Sequence, residues 1–87
     1  MVREGDYVAI FNSIHRVMEA EKLLKERRLA ILLIPAPRAL AADCGLAIRY
    51  AEEIRSEVEA VLVDAGLMPR ELYRKQGEEY IKIEGAP

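Results

Sequence analysis

Residues 6–11 read DYVAIF, and this stretch decides the fold. It is rich in β-branched and aromatic residues, and from Tyr7 onwards both alternating sets of side chains are apolar. A central strand that is covered on both faces has this pattern, whereas a strand with one solvated face alternates between apolar and polar residues. We therefore predict a sheet that is built around these residues.

A helix is predicted directly after this strand. Asn12 and Ser13 can accept hydrogen bonds from the free N–H groups at a helix start, and residues 13–27 contain neither Gly nor Pro. With a rotation of about 100° per residue, a set of apolar side chains falls on one side of this helix, with Ala20 beside it. The members of this set are Ile14, Val17, Met18 and Leu24. This stripe is expected to pack on the sheet.

A second strand and a stiff loop are predicted next. Residues 30–34, AILLI, form a short apolar run that stops at Pro35, and their length favours a buried strand over a helix. Pro35 and Pro37 fix φ at two positions and remove two backbone donors. Residues 35–38 are therefore expected to be extended and stiff.

A third strand is predicted beyond this loop. Residues 39–43 could form one helical turn, but Gly45 and the alternating apolar residues of LAIRY at 46–50 indicate that a strand restarts here. Cys44 then lies at the mouth of that strand. The competing interpretation is one long helix over residues 39–65, which Gly45 and the change of apolar period oppose.

The rest of the chain predicts a helix and a hairpin. Residues 52–65 return to helical spacing, and Gly66 can end that helix. Its apolar side comprises Ile54, Val58, Val61, Leu62 and Ala65. Residues 71–75 and 79–84 flank a Gln-Gly-Glu turn, which predicts a final strand or hairpin. Residues 85–87 are expected to fray.

The predicted order is βαββαβ, so the expected fold class is α+β. This is the ferredoxin-like arrangement with an antiparallel sheet and an extra C-terminal strand or hairpin, in a single domain over residues 1–87. Both helices of this arrangement lie on one side, yet the first two strands are apolar on both sides. The open face should be covered by the C-terminal hairpin or by a second copy of the chain, which makes a homodimer the expected state.

Composition excludes several classes of function. The chain has 87 residues, of which 52% are apolar and 32% charged, as in a globular protein. Its net charge of −2 gives no general attraction for nucleic acid. The first residues, MVREGDYVAIF, lack the layout of a secretory signal, and no apolar run approaches the roughly 20 residues of a membrane-spanning helix. We expect a cytoplasmic protein without membrane contact.

Cys44 is the residue with the strongest case for chemistry. As the only cysteine, it cannot form an intrachain disulfide or a structural zinc site, so no metal and no other cofactor is predicted. Its neighbour Gly45 favours access by another molecule. Arg38 would favour the thiolate if the loop folds back, whereas Asp43 would oppose it. The competing interpretation is a buried cysteine that acts as a small hydrophobe.

Polar residues of the first helix could assist. Asn12 and Ser13 could bind an anion at the helix start. In some versions of this topology the helix start and the cysteine loop lie at the same edge of the sheet. The alternative is that the two residues simply cap the helix. His15 could carry a proton or lie in solvent. Glu21 could pair with Arg38, or reach solvent beside Lys25, which is the outcome that we expect.

Motifs of the common enzyme classes are absent. The sequence has no GxGxxG, no GxxxxGK, no paired-histidine metal spacing and no nucleophilic serine elbow. A lone thiol without an assembled base suits a protein that carries a group between the sites of other proteins. A carrier, rather than an enzyme, is expected.

Two parts of the chain carry a family resemblance. They are Pro35-Ala36-Pro37-Arg38 followed by Asp43-Cys44-Gly45, and Phe11-Asn12-Ser13 leading into Ala20-Glu21. With these motifs the chain resembles the selenium/sulfur carrier-like family of small bacterial domains, over about residues 7 to 83. The positions that match the family pattern are Pro37, Arg38, Cys44 and Gly45, with Ser13 and Glu21.

The resemblance implies that Cys44 holds a persulfide or selenide-type adduct. A donor protein such as a cysteine desulfurase would supply it, and an acceptor protein would receive it. The residues expected around the bound group are Arg38, Gly45, Pro37, Ser13 and Asn12. Two alternatives keep the cysteine incidental: a non-enzymatic module that binds a small anion at the helix start, and a homo-oligomeric module whose functional surface is the apolar sheet face.

Overall fold

A computed structural model describes residues 2–84, and its centre is an antiparallel sheet of five strands. The elements in chain order are β1 (Tyr7–Ile10), α1 (Ile14–Glu26), β2 (Leu32–Pro35), β3 (Leu46–Tyr50), a 3-10 turn (Glu52–Ile54), α2 (Arg55–Ala65), β4 (Glu71–Gln76) and β5 (Glu79–Lys82). The strands lie side by side in the order β2-β3-β1-β4-β5. The predicted ferredoxin-like α+β fold is confirmed, with a hairpin as its C-terminal addition. Residues 85–87, for which fraying is expected, lie outside the described residues.

β1 is the central strand, as its sequence predicts. Its residues are at most 2% exposed and alternate between two hydrophobic clusters. Tyr7 and Ala9 face the helices, whereas Val8 and Ile10 face the opposite side. The strand pairs with β3 on one side and with β4 on the other.

α1 begins after the predicted cap, but its buried stripe differs from the prediction. The Ser13 hydroxyl oxygen accepts a hydrogen bond from the Arg16 N–H at 3.2 Å. The fully buried residues of the helix are Val17, Ala20 and Leu24. Ile14 and Met18 are instead each 43% exposed. The Arg16 side chain donates to the Gly66 carbonyl at the end of α2 (2.8 Å), so α1 is turned towards α2 and its far flank stays in solvent.

β2 is an edge strand, so the strand prediction is correct but full burial is wrong. Ile34 is buried, whereas Leu32 is 43% exposed, because β2 has only β3 as a neighbour. Pro35 ends the strand, and an edge strand tolerates its missing N–H.

Two tight turns connect β2 to β3 in place of the predicted helical turn. The Leu40 N–H donates to the Pro37 carbonyl at 2.9 Å, and the Gly45 N–H donates to the Ala42 carbonyl at 3.1 Å. Gly45 has a φ of 74°, a left-handed conformation that interrupts any right-handed helix. The single long helix over residues 39–65 is thereby excluded.

α2 and the C-terminal hairpin follow the predicted order. A 3-10 turn comes first, so the regular helix begins at Arg55. The buried residues of its apolar side are Val58 and Leu62. Ala65 is exposed, contrary to the predicted stripe, because it borders an open groove beside α1. Gly66 ends the helix with a φ of 70°. No helix within residues 2–84 is long and apolar enough to cross a membrane.

The loop that carries Cys44 helps to cover the sheet face opposite the helices. The buried cluster on this face comprises Val8, Ile10, Ile34, Leu40 and Ala47. Leu40 comes from the loop and packs against the strand residues, with Tyr73 and Tyr80 of the hairpin beside it. The expected hairpin therefore supplies only part of the cover. Burial of this face needs no second copy of the chain, and the homodimer stays a prediction.

Truncation of Leu40 should destabilise the domain. Leu40→Ala should lower the free energy of unfolding by about 2 to 3 kcal/mol, because it opens a cavity over β1. Leu32→Ala, which removes an exposed side chain of the same size, should cost less than about 1 kcal/mol. Urea unfolding of both variants measures the difference. Equal losses would show that Leu40 does not close the core.

Candidate functional site

The sheet register brings four separate segments to one end of the sheet. Ile10, at the end of β1, is opposite Ala47 in β3 and Glu71 in β4. Pro35, at the end of β2, is opposite Leu46. The start of α1, the proline loop, the cysteine turn and the segment before β4 therefore share this end. The helix start and the cysteine loop thus lie at one edge, as one version of the topology predicts.

Cys44 occupies the turn that leads into β3. Its Sγ lies 3.4 Å from the Leu46 carbonyl oxygen, to which the thiol donates a weak hydrogen bond. The residue is half-buried and packs against the hydrophobic cluster on the helix side. The sulfur is therefore held in place by the core without being enclosed by it.

The loop crosses from one face of the sheet to the other just before the cysteine. Leu40 and Ala42 pack in the cluster opposite the helices, whereas Cys44 packs in the helix-side cluster. The side chain of Asp43, between the two, is 79% exposed. Apolar contacts on both faces thus anchor the segment that carries the thiol.

Arg70 holds this crossing from outside. Its Nη2 donates to the Ala41 carbonyl at 2.7 Å, and its Nη1 lies 3.4 Å from Asp43 Oδ2. Its backbone N–H donates to the Ile10 carbonyl at 2.7 Å, which fixes Arg70 at the end of β1. Sequence reasoning missed this residue, because only the pairing of β4 with β1 brings it to the cysteine loop. Its position directly before the last predicted hairpin was the one available signal.

Glu21 and Arg38 do not form the ion pair that one hypothesis required. Glu21 lies beside Lys25, as expected, and pairs with it at 2.8 Å, but its side chain is only 17% exposed, so the expectation that it reaches solvent is wrong. Within residues 2–84 it forms no ion pair with Arg38. Leu40 belongs to the cluster on the sheet face opposite the helices, whereas the helix that carries Glu21 packs on the other face. Arg38 is exposed and forms no hydrogen bond or ion pair within residues 2–84. A role for Arg38 at the site stays a prediction.

The start of α1 contributes a cap to this end of the sheet. Ser13 engages the Arg16 N–H, which is the plain capping role. Asn12 and His15 are exposed. Their side chains make no hydrogen bond to other described residues. Across residues 2–84, no group of three His, Cys, Asp or Glu side chains is placed to hold a metal ion.

Residues 6–74 match the model of a protein family described as "Putative Se/S carrier protein-like". The chain belongs to this family. The match includes Cys44, Gly45 and Arg70, and it ends within β4, so β5 lies outside it. No curated protein and no solved structure matches the chain.

A second polar cluster of this Se/S carrier-like domain lies at the opposite end of the sheet. The Tyr7 hydroxyl donates to Glu52 Oε1 (2.6 Å) and accepts from Arg55 Nη1 (3.0 Å), and its ring stacks on Tyr50 with centroids 5.7 Å apart. Arg55 also pairs with Glu59 at 2.8 Å. Burial raises the pKa of both Tyr7 and Tyr50 above the ordinary tyrosine value. The cluster ties the start of α2 to β1 and β3.

A side chain at position 45 should strain the turn of the carrier-like domain. Gly45→Ala should cost about 1 kcal/mol of unfolding free energy, because L residues are strained at positive φ. Apart from its chain neighbours, no atom lies within 4 Å of the added Cβ, so steric clash adds no further free-energy cost. Gly45→Asn should cost less, because Asn tolerates this conformation. If the two substitutions cost the same in urea unfolding, backbone strain is not the cause.

Alkaline pH should destabilise the domain through its buried tyrosines. Above pH about 10 the unfolded chain releases phenol protons that the folded chain retains, so the free energy of unfolding falls as pH rises. Tyr50→Phe should reduce this fall, because it removes a phenol whose pKa burial raises. Chemical unfolding at neutral pH and near pH 11 provides the comparison. An unchanged fall in Tyr50→Phe would contradict the assignment.

Proposed function

We propose that this domain carries sulfur or selenium on Cys44 between two other proteins. The observation that supports this is the position of the only cysteine of a Se/S carrier-like domain, in an anchored and half-buried turn. A carrier thiol must be reachable by a donor and by an acceptor, yet stay in one place. A half-buried thiol in an anchored turn between β2 and β3 is compatible with both requirements.

The proposed loading step is an exchange of sulfur without net oxidation. The Cys44 thiolate attacks the outer sulfur of a persulfide on a donor such as a cysteine desulfurase. A new S–S bond forms at Cys44 while the S–S bond of the donor breaks. The electron pair of the broken bond stays on the donor cysteine, which then takes up a proton. A selenium adduct would be exchanged in the same way through an S–Se bond.

Unloading repeats the exchange with the acceptor as the nucleophile. An acceptor thiolate attacks the outer sulfur on Cys44, the S–S bond at Cys44 breaks, and Cys44 regains its thiolate. We expect this cycle in the cytoplasm, where a lone thiol stays reduced between transfers.

In this proposal the chain holds the Cys44 sulfur in place, and the partner proteins supply the groups that transfer protons. Among the described residues, Cys44 Sγ has one hydrogen-bond partner, the Leu46 carbonyl, and no side chain that could act as its base. An enzyme that used this thiol as a nucleophile would need such a base. The arrangement therefore favours a carrier whose donor and acceptor bring their own active sites.

Features at the same end of the sheet support an anionic sulfur. The start of α1 at Ser13 carries partial positive charge, and the exposed Arg38 adds a full one. Pro37 and Gly45 fix the shape of the loop, and Asn12 is exposed beside the helix start. We propose that this surface meets the donor and acceptor.

Loading can be measured directly. Incubation with a cysteine desulfurase and cysteine should add the mass of one sulfur atom, and peptide mass spectrometry should place it on Cys44. Cys44→Ser should gain no mass, and wild-type domain incubated without cysteine should also gain none. Arg74→Gln, at the far end of the sheet, keeps the thiol and should load like wild type.

One combination of results would contradict the carrier proposal. Native Cys44 that resists iodoacetamide and reacts only after unfolding, together with no gain of sulfur, would show that the thiol is part of the core. The carrier proposal would then be abandoned.

A further inference from the structure

Arg70 contacts the cysteine loop at the point where it crosses the sheet end. Its guanidinium donates to the Ala41 carbonyl (2.7 Å) and pairs with the carboxylate of Asp43 (3.4 Å). Asp43 is the residue directly before Cys44. We propose that Arg70 favours the anionic form of the Cys44 sulfur by compensating the charge of the adjacent Asp43 carboxylate. This inference rests on the proposed carrier function.

The first part of the argument is electrostatic. The Asp43 carboxylate is adjacent in sequence to Cys44, and a nearby negative charge disfavours a second one on sulfur. Both the thiolate and a persulfide anion would meet this repulsion. Arg70 is the cation that pairs with Asp43 among residues 2–84, so it offsets the repulsion at its source.

The second part concerns the availability of Arg70 for this task. Its guanidinium also lies 3.8 Å from Glu71 Oε1. Glu71 has two other partners, the Tyr73 hydroxyl at 3.1 Å and Lys82 Nζ at 3.7 Å. Glu71 therefore has a second cation, Lys82, as its counter-ion. The shorter contacts of the Arg70 guanidinium are those to the loop.

The third part is that the ion pair contributes little to stability. The side chains of Asp43 and Arg70 are 79% and 33% exposed, and an ion pair in such a setting contributes at most about 1 kcal/mol. Substitutions at either position should leave the fold intact. An effect on the sulfur can then be measured in folded protein.

Alkylation of Cys44 by iodoacetamide, a neutral reagent, tests the inference at neutral pH and low salt. Arg70→Gln should slow the reaction about twofold to fivefold, because Asp43 then acts on the sulfur without compensation. Arg70→Lys keeps the charge and should retain most of the wild-type rate. In Asp43→Asn/Arg70→Gln the repulsion is gone, so the rate should return to at least the wild-type value.

Two controls distinguish an effect of the Arg70 charge on the sulfur from an effect of Arg70 on the closure of the loop. Arg74→Gln, which removes an arginine at the other end of the sheet, should alkylate like wild type. High salt should shrink the effect of Arg70→Gln, because it screens exposed charges. An Arg70→Gln domain that alkylates faster than wild type and is not corrected by Asp43→Asn would show that Arg70 only closes the loop. That result, or an unchanged rate, overturns the inference.

The assay also distinguishes this inference from the carrier proposal, because it needs no donor protein. Slow alkylation of Arg70→Gln, with correction by Asp43→Asn, would support the role of Arg70 even if the wild type took no sulfur from a desulfurase. Normal loading of the wild type, with unchanged alkylation in Arg70→Gln, would leave the carrier function standing and remove the role of Arg70.

Discussion

Val8 and Ile10 of β1 need a cover that the two helices cannot provide, because the helices lie on the face with Tyr7 and Ala9. Leu40, from the loop between β2 and β3, is the buried loop residue of the cluster on this face, and Val2, Tyr73 and Tyr80 pack beside it. The segment that closes the hydrophobic core therefore continues directly into the cysteine turn. The position of the thiol follows from the packing of apolar residues, and the polar contacts only refine it.

Local signals in the sequence were sufficient for the order of the elements. Ser13 and Gly66 mark helix ends through hydrogen bonding and a left-handed backbone, and both effects depend on a few neighbouring residues. The stripe of α1 was placed less well, because Ile14 and Met18 are as apolar as the residues that are buried. Their exposure depends on how α1 sits against α2, and local periodicity does not contain that information.

The same distinction applies to the candidate site. Cys44 could be singled out from the sequence because its chemistry is unique in the chain. Arg70 could not, because its relation to Asp43 exists only once β4 pairs with β1. Arg38 is the nearer cation along the chain, yet it is exposed and forms no hydrogen bond or ion pair with the described residues. The cation that contacts the loop thus comes from a distant part of the chain.

If Cys44 carries a cargo as proposed, the use of one loop for two tasks links that cargo to folding. Leu40 and Cys44 belong to one short segment, so an adduct that shifted this segment would disturb the packing of Leu40 in the cluster with Val8 and Ile10. In a thermodynamic cycle, the free energy by which loading destabilises the fold equals the free energy by which folding disfavours loading. A loaded domain with a displaced loop would be less stable than the free one, and the release of its cargo would restore that stability. Part of the free energy of folding would then favour delivery to the acceptor.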